Sequence, residues 1–81
     1  MYTNQKKFIG VTLRKLRKDD GFSQHQLGIE SDIDIKYIGK IERGECNVSI
    51  KKLISMCEVF KISLVDFFIL VDKEIKDDNL M

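Results

Sequence analysis

Lys36, Lys40 and Arg43 share the outer face of one short helical segment with Ile35, Tyr37 and Gly39, inside the run GFSQHQLGIESDIDIKYIGKIERG from Gly21 to Gly44. Ammonium and guanidinium groups donate hydrogen bonds to phosphate oxygens and to base edges, so this grouping suits a helix held against a nucleic acid. Solvated surface lysines are the commoner reading of such charges. What favours the first reading is the set of elements that would position them.

Ser23 can accept a hydrogen bond from an amide two or three residues on, and Gln26 completes a capping-box pattern. The helix so opened is predicted over Gln24 to Ile29, with Leu27 as its main core contact. Ser31, Asp32, Ile33 and Asp34 then form a turn cluster, and Asp34 can cap a second helix from Ile35 to Arg43. Ile38 and Ile41 lie three apart on its inner side, so the buried set is Leu27, Ile33, Ile38 and Ile41. Gly28 leaves room where two steeply crossed helices approach.

Around this pair, Phe8, Ile9, Leu13 and Leu16 recur at helical spacing and predict an amphipathic helix from about Asn4 to Asp19, stopped by Asp20-Gly21. Ser49 can cap another, carrying Ile50, Leu53, Ile54, Cys57 and Phe60 inward, and Ser63 opens a last one from Leu64 to about Lys76. The sequence has no proline, and no strand-like alternation appears. The expectation is an all-α, five-helix fold in one domain spanning residues 1–81.

Gln24, the small residue Gly28, the turn residue Ile33, the YIGKIERG ending from Tyr37 and Ser49 at the start of the next helix together resemble the lambda-repressor-like helix-turn-helix family of bacterial and phage regulators. The resemblance runs from about Phe8 to Phe68. The compact length and the pair Phe67-Phe68 look most similar to controller proteins of restriction-modification systems. Carried onto this sequence, the family pattern implies that Ile35, Lys36, Gly39 and Lys40 face base edges, with Tyr37 reaching base or backbone. Lys36 and Lys40 favour guanine, and Ile35 a thymine methyl, although a polar reader is more typical there. The resemblance also implies that Gln24 binds a phosphate while bracing the reading helix. It further implies that Glu42 pairs with Arg17 as scaffold. Ser23, Arg43, Asn47, Ser49 and Lys51 sit at helix ends or in the following loop, where the DNA backbone is commonly held. Asp32 and Gly28 depart from the family's usual glycine or asparagine and alanine.

Formal net charge is only +1. Its distribution says more: residues 1–52 carry eleven Lys and Arg against seven Asp and Glu, whereas residues 53–81 carry three against six. Positive potential is thus expected on the half with the helix-turn-helix. Cys46 and Cys57 show no CxxC spacing, and the single His25 has no catalytic or ligand companions, so no enzyme, metal or cofactor is expected. Cys57 is expected in the core and Cys46 exposed in a loop. No apolar run is long enough to span a membrane, which with two reduced cysteines predicts a cytoplasmic protein without a small-molecule ligand.

The last helix is apolar at Leu64, Val65, Phe67, Phe68, Ile69, Leu70 and Val71, interrupted by Asp66. A monomer buries one face of a helix, and the rest would stay in water. The expectation is an isologous homodimer through Val65, Phe68 and Ile69, presenting two reading helices to a palindromic double-stranded operator. Its action would be that of a controller protein on its own and the endonuclease promoter, as repressor or activator. The alternatives are a phage or plasmid repressor, an antitoxin, or a protein-interaction module using the apolar last helix.

Overall fold

The computed structural model describes residues 4–79, and among them five helices and no strand. They are α1 (Gln5–Asp19), α2 (Gln24–Ser31), α3 (Ile35–Glu42), α4 (Ile50–Phe60) and α5 (Leu64–Asn79). Four of the five begin where a short polar side chain can take up an orphan amide. Ser23 Oγ accepts from the Gln26 amide at 3.0 Å, and Gln26 Oε1 accepts from the Ser23 amide at 2.9 Å, closing the capping box. Asp34, Ser49 and Ser63 cap α3, α4 and α5 in the same manner.

Leu13, Leu27, Ile33, Ile38, Ile41, Leu53, Met56, Cys57, Phe60, Phe67 and Val71 make up the buried core. The predicted set of Leu27, Ile33, Ile38 and Ile41 belongs to it. α3 packs on α1 and α2, and α5 packs on α1 and α4, so the reading-helix candidate is held from behind by two elements. At the α1–α3 crossing Gly10 is buried, and an added Cβ there would strike the carbonyl oxygens of Ile41 and Glu42. Gly28 answers a similar need, since a Cβ would stand 2.8 Å from the Ile33 carbonyl oxygen.

Several boundaries and faces differ from the sequence expectation. α2 continues past Ile29 to Ser31, whose buried hydroxyl donates back to the Leu27 carbonyl at 2.6 Å, and it closes at Asp32, whose amide donates to the Gly28 and Ile29 carbonyls. The turn itself is Asp32, in left-handed geometry at φ 57°. On α4 the inward face is Leu53, Met56, Cys57 and Phe60, and Ile50 and Ile54 point outward. α5 runs to Asn79, beyond the expected Lys76, with Lys7 of α1 paired to Asp78 in its last turn. Cys46 is half-buried, while burial pushes the Cys57 thiol pKa up.

Candidate nucleic-acid interface

A side-chain network that orients α3 converges on Glu42, its last residue. Glu42 Oε2 accepts from Arg17 Nε at 2.7 Å, and Oε1 accepts from Arg17 Nη2 at 3.0 Å and from Gln24 Nε2 at 3.1 Å. Arg17 also donates from Nη1 to the Phe22 carbonyl at 2.8 Å. One carboxylate therefore ties α3 to α1 and to the start of α2. Both side chains are nearly closed to solvent, at 10% for Arg17 and 4% for Glu42, where a two-point guanidinium contact is strongest. The expected pair is present, and Gln24 joins it as a third member. One amide hydrogen of Gln24 is spent on Glu42, and the other remains free in chemistry to reach a phosphate.

With its inner side fixed, α3 turns Ile35, Lys36 and Lys40 to solvent, Ile35 at 42% exposure. Arg43 caps the C-terminal end and is exposed as well. The structure thus brings Ile35, Lys36, Lys40 and Arg43 to one accessible surface. Ser23, Asn47, Ser49 and Lys51 are exposed at its margins. The cap hydroxyls of Ser23 and Ser49 accept from backbone amides, which leaves each O–H able to donate to a phosphate.

Two of the expected readers are placed differently. Gly39 is buried rather than outward: Arg43 Nη1 would lie 3.0 Å and Gln24 Oε1 3.7 Å from a Cβ at that position, so these side chains close over it. Gly39 is the hollow over which the Arg43 guanidinium rests. Tyr37 is half-buried, its hydroxyl donating to the Asn47 carbonyl at 2.9 Å, with the Lys52 ammonium 4.0 Å from the ring centre. It is a strap from α3 to the loop before α4, and the amine over its face is a cation–π contact. Lys52 escaped the sequence reading, because the fold of that loop, not its spacing, brings it to Tyr37.

Arg43 donates to Glu45 from Nε at 2.6 Å and from Nη2 at 3.3 Å. The contact raises the Arg43 pKa and holds the Glu45 carboxyl below its ordinary range. On α5, Phe67 and Val71 are buried, and Val65 is left at 69%, Phe68 at 40% and Ile69 at 60% exposure.

The helix-turn-helix family matches residues 13–67, the span that contains this scaffold. The chain belongs to the helix-turn-helix family. Among curated relatives it is 36% identical over 61 residues to the HTH-type transcriptional regulator SlrR of Bacillus subtilis (strain 168), which takes in 74% of this chain and 40% of that protein. The chain therefore spans about two fifths of the length of that relative. Among solved structures, the clp gene regulator ClgR of Corynebacterium glutamicum superposes with a TM-score of 0.88 at 26% identity, covering 94% of this chain and 81% of that one. The wild-type restriction-modification controller protein C.Esp1396I gives 0.83 at 32% identity, with 90% and 95% covered. The same controller as a tetramer with its natural 35 base-pair operator gives 0.80 at 32%, with 88% and 93% covered. These relatives of the helix-turn-helix chain are regulators, and among its described residues no helix is long and apolar enough to cross a membrane.

Proposed function

We propose that this chain is a sequence-specific, DNA-binding transcriptional regulator that works as a homodimer on a palindromic operator, as the controller protein of a restriction-modification system. The observation that carries the reading is the outward surface of α3. Ile35, Lys36 and Lys40 are exposed on a helix locked from behind by the Arg17–Glu42–Gln24 network, with Arg43 beside them. A rigid helix with exposed donors is what major-groove reading requires. Lys36 and Lys40 donate to guanine O6 and N7, and Ile35 packs on a thymine methyl. Ser23, Gln24, Arg43, Asn47, Ser49 and Lys51 hold the phosphates, which fix register without carrying sequence information.

The controller assignment draws support from the likeness to C.Esp1396I, at a TM-score of 0.83 and 32% identity over 90% of this chain. The homodimer draws support from Val65, Phe68 and Ile69, an apolar face that a soluble monomer seldom leaves open. A phage or plasmid repressor or an antitoxin would use the same surface of α3. A protein-interaction module would use α5 alone. Action on operator DNA places the protein in the cytoplasm.

A gel shift on the chain's own upstream region tests the assignment. Retardation by the wild type, lost on Lys36→Ala with Lys40→Ala, is the expected result. Unchanged mobility with the wild type would count against a controller acting on its own promoter and in favour of the α5 module. An adjacent methyltransferase and endonuclease gene pair separates the controller from the other repressors.

A further inference from the structure

Among the cations of the α3 surface, Arg43 alone is recorded in an ion pair with a described residue; Lys36 and Lys40 are in none. Its partner Glu45 is an exposed acid just past the C-terminal end of α3. The position of that acid is fixed by backbone as well as by charge. Gly44 takes left-handed geometry at φ 72°, its amide donates to the Ile41 carbonyl, and the Glu45 amide donates to the Lys40 carbonyl at 2.9 Å. The chain is thereby folded back against the end of α3, and the Glu45 carboxylate meets the side edge of the Arg43 guanidinium formed by Nε and Nη2. The remaining terminal nitrogen, Nη1, lies over Gly39. Lys40 also acts on Glu45 through its charge. A phosphate seeking a two-point grip on Arg43 meets an edge that is already taken.

We propose that Glu45 competes with DNA phosphates for Arg43 and so sets how tightly the α3 surface holds the backbone. The inference rests on the DNA-binding reading above. On binding, Arg43 exchanges a carboxylate for a phosphate, and the released Glu45 loses its hydrogen-bonded partner and stands as a negative charge beside the duplex. The pair is solvent-exposed, with side-chain exposures of 58% and 50%, so its exchange is cheap and its effect graded rather than all-or-none. Because the competition concerns a phosphate contact, it acts on duplexes of any sequence.

The experiment is a titration of a labelled duplex from the chain's own upstream region with wild type, Glu45→Gln, Arg43→Ala and the double variant, at one fixed salt concentration. Glu30→Gln, an exposed carboxylate on α2, controls for net charge. Glu45→Gln is expected to tighten binding about threefold per half-site and about tenfold for an operator held by two copies. In the Arg43→Ala background the same change is expected to give less than about twofold, and Glu30→Gln is expected to leave Kd in place. Unchanged or weaker binding by Glu45→Gln overturns the proposal. So does equal tightening with and without Arg43, which would mean direct repulsion, or equal tightening by Glu30→Gln, which would mean overall charge. A wild type that binds no duplex sinks the DNA reading as well, and its own titration reveals that separately.

Discussion

Two glycines packed against or within α3 ask opposite things of a methyl group. At Gly10 a Cβ would press into the backbone carbonyls of Ile41 and Glu42, and neither α1 nor α3 can yield without breaking the crossing. At Gly39 the nearest atom is the far end of the Arg43 side chain, which can swing away. Gly10→Ala should therefore cost on the order of 1–3 kcal/mol as an overpacked contact. Gly39→Ala should leave stability unchanged or raise it by up to about 1 kcal/mol through helix propensity, while displacing the Arg43 guanidinium. Thermal unfolding of the two variants decides, and a Gly39→Ala protein that melts as early as Gly10→Ala would contradict the packing described. The Arg17–Glu42 pair makes a companion case. Removing either partner should cost roughly 3–5 kcal/mol, chiefly from the charge left behind, whereas an apolar pair such as Arg17→Met with Glu42→Leu should recover much of it. Denaturant midpoints of the three variants measure this. Equal losses in all three would mean that the network contributes as a bonded unit and not through the penalty of a stranded charge.

At the level of helices, the caps were legible because their signal is local: Ser23 with Gln26, Asp34, Ser49 and Ser63 each act within three residues. Replacing Ser23 by Ala should accordingly cost about 1 kcal/mol in thermal unfolding, with α2 the element that frays; a loss within error would deny the cap a stabilising role. Faces were less legible. Ile50, Leu53, Ile54 and Cys57 fit a helical stripe as well as Leu53, Met56, Cys57 and Phe60 do, and periodicity gives the width of an apolar band without choosing its centre. The choice was made by α2 and α5, against which α4 packs. Gly10 was invisible for a related reason, since the need for a bare backbone arises only where α1 and α3 cross. The hollow at Gly39 likewise depends on where Arg43 lies, four residues on and outside the helix. The buried pair of Arg17 and Glu42 was foreseen only through family resemblance. Nothing in the spacing of two charges 25 residues apart announces that they meet.

For the molecule as a whole, the two faces proposed to act lie on different elements, the cations on and just after α3 and the open apolar stripe on α5. Each can therefore be removed without touching the other. Ile69→Lys places a charge in the centre of the Val65–Phe68–Ile69 face, where it is harmless in a monomer and repelled by its symmetry mate in an isologous interface. Sedimentation at tens of micromolar should show a dimer for wild type and a monomer for Ile69→Lys, and only the wild-type melting temperature should rise with protein concentration. A wild-type monomer at that concentration would remove the dimer. If the dimer stands, its twofold axis sets the distance between the two copies of α3, and half-site centres about 34 Å apart follow from one helical turn of the duplex. Lengthening the centre of the operator by five base pairs then turns the second half-site to the far side of the DNA. One copy of α3 must let go, affinity should collapse toward that of a single half-site, and restoring a full turn with ten base pairs should not recover it if the α5 contact is rigid. Quantitative titration of the three spacings reads this directly. Equal affinity for all three would mean that the two reading helices are not joined through α5, and that each chain engages DNA alone.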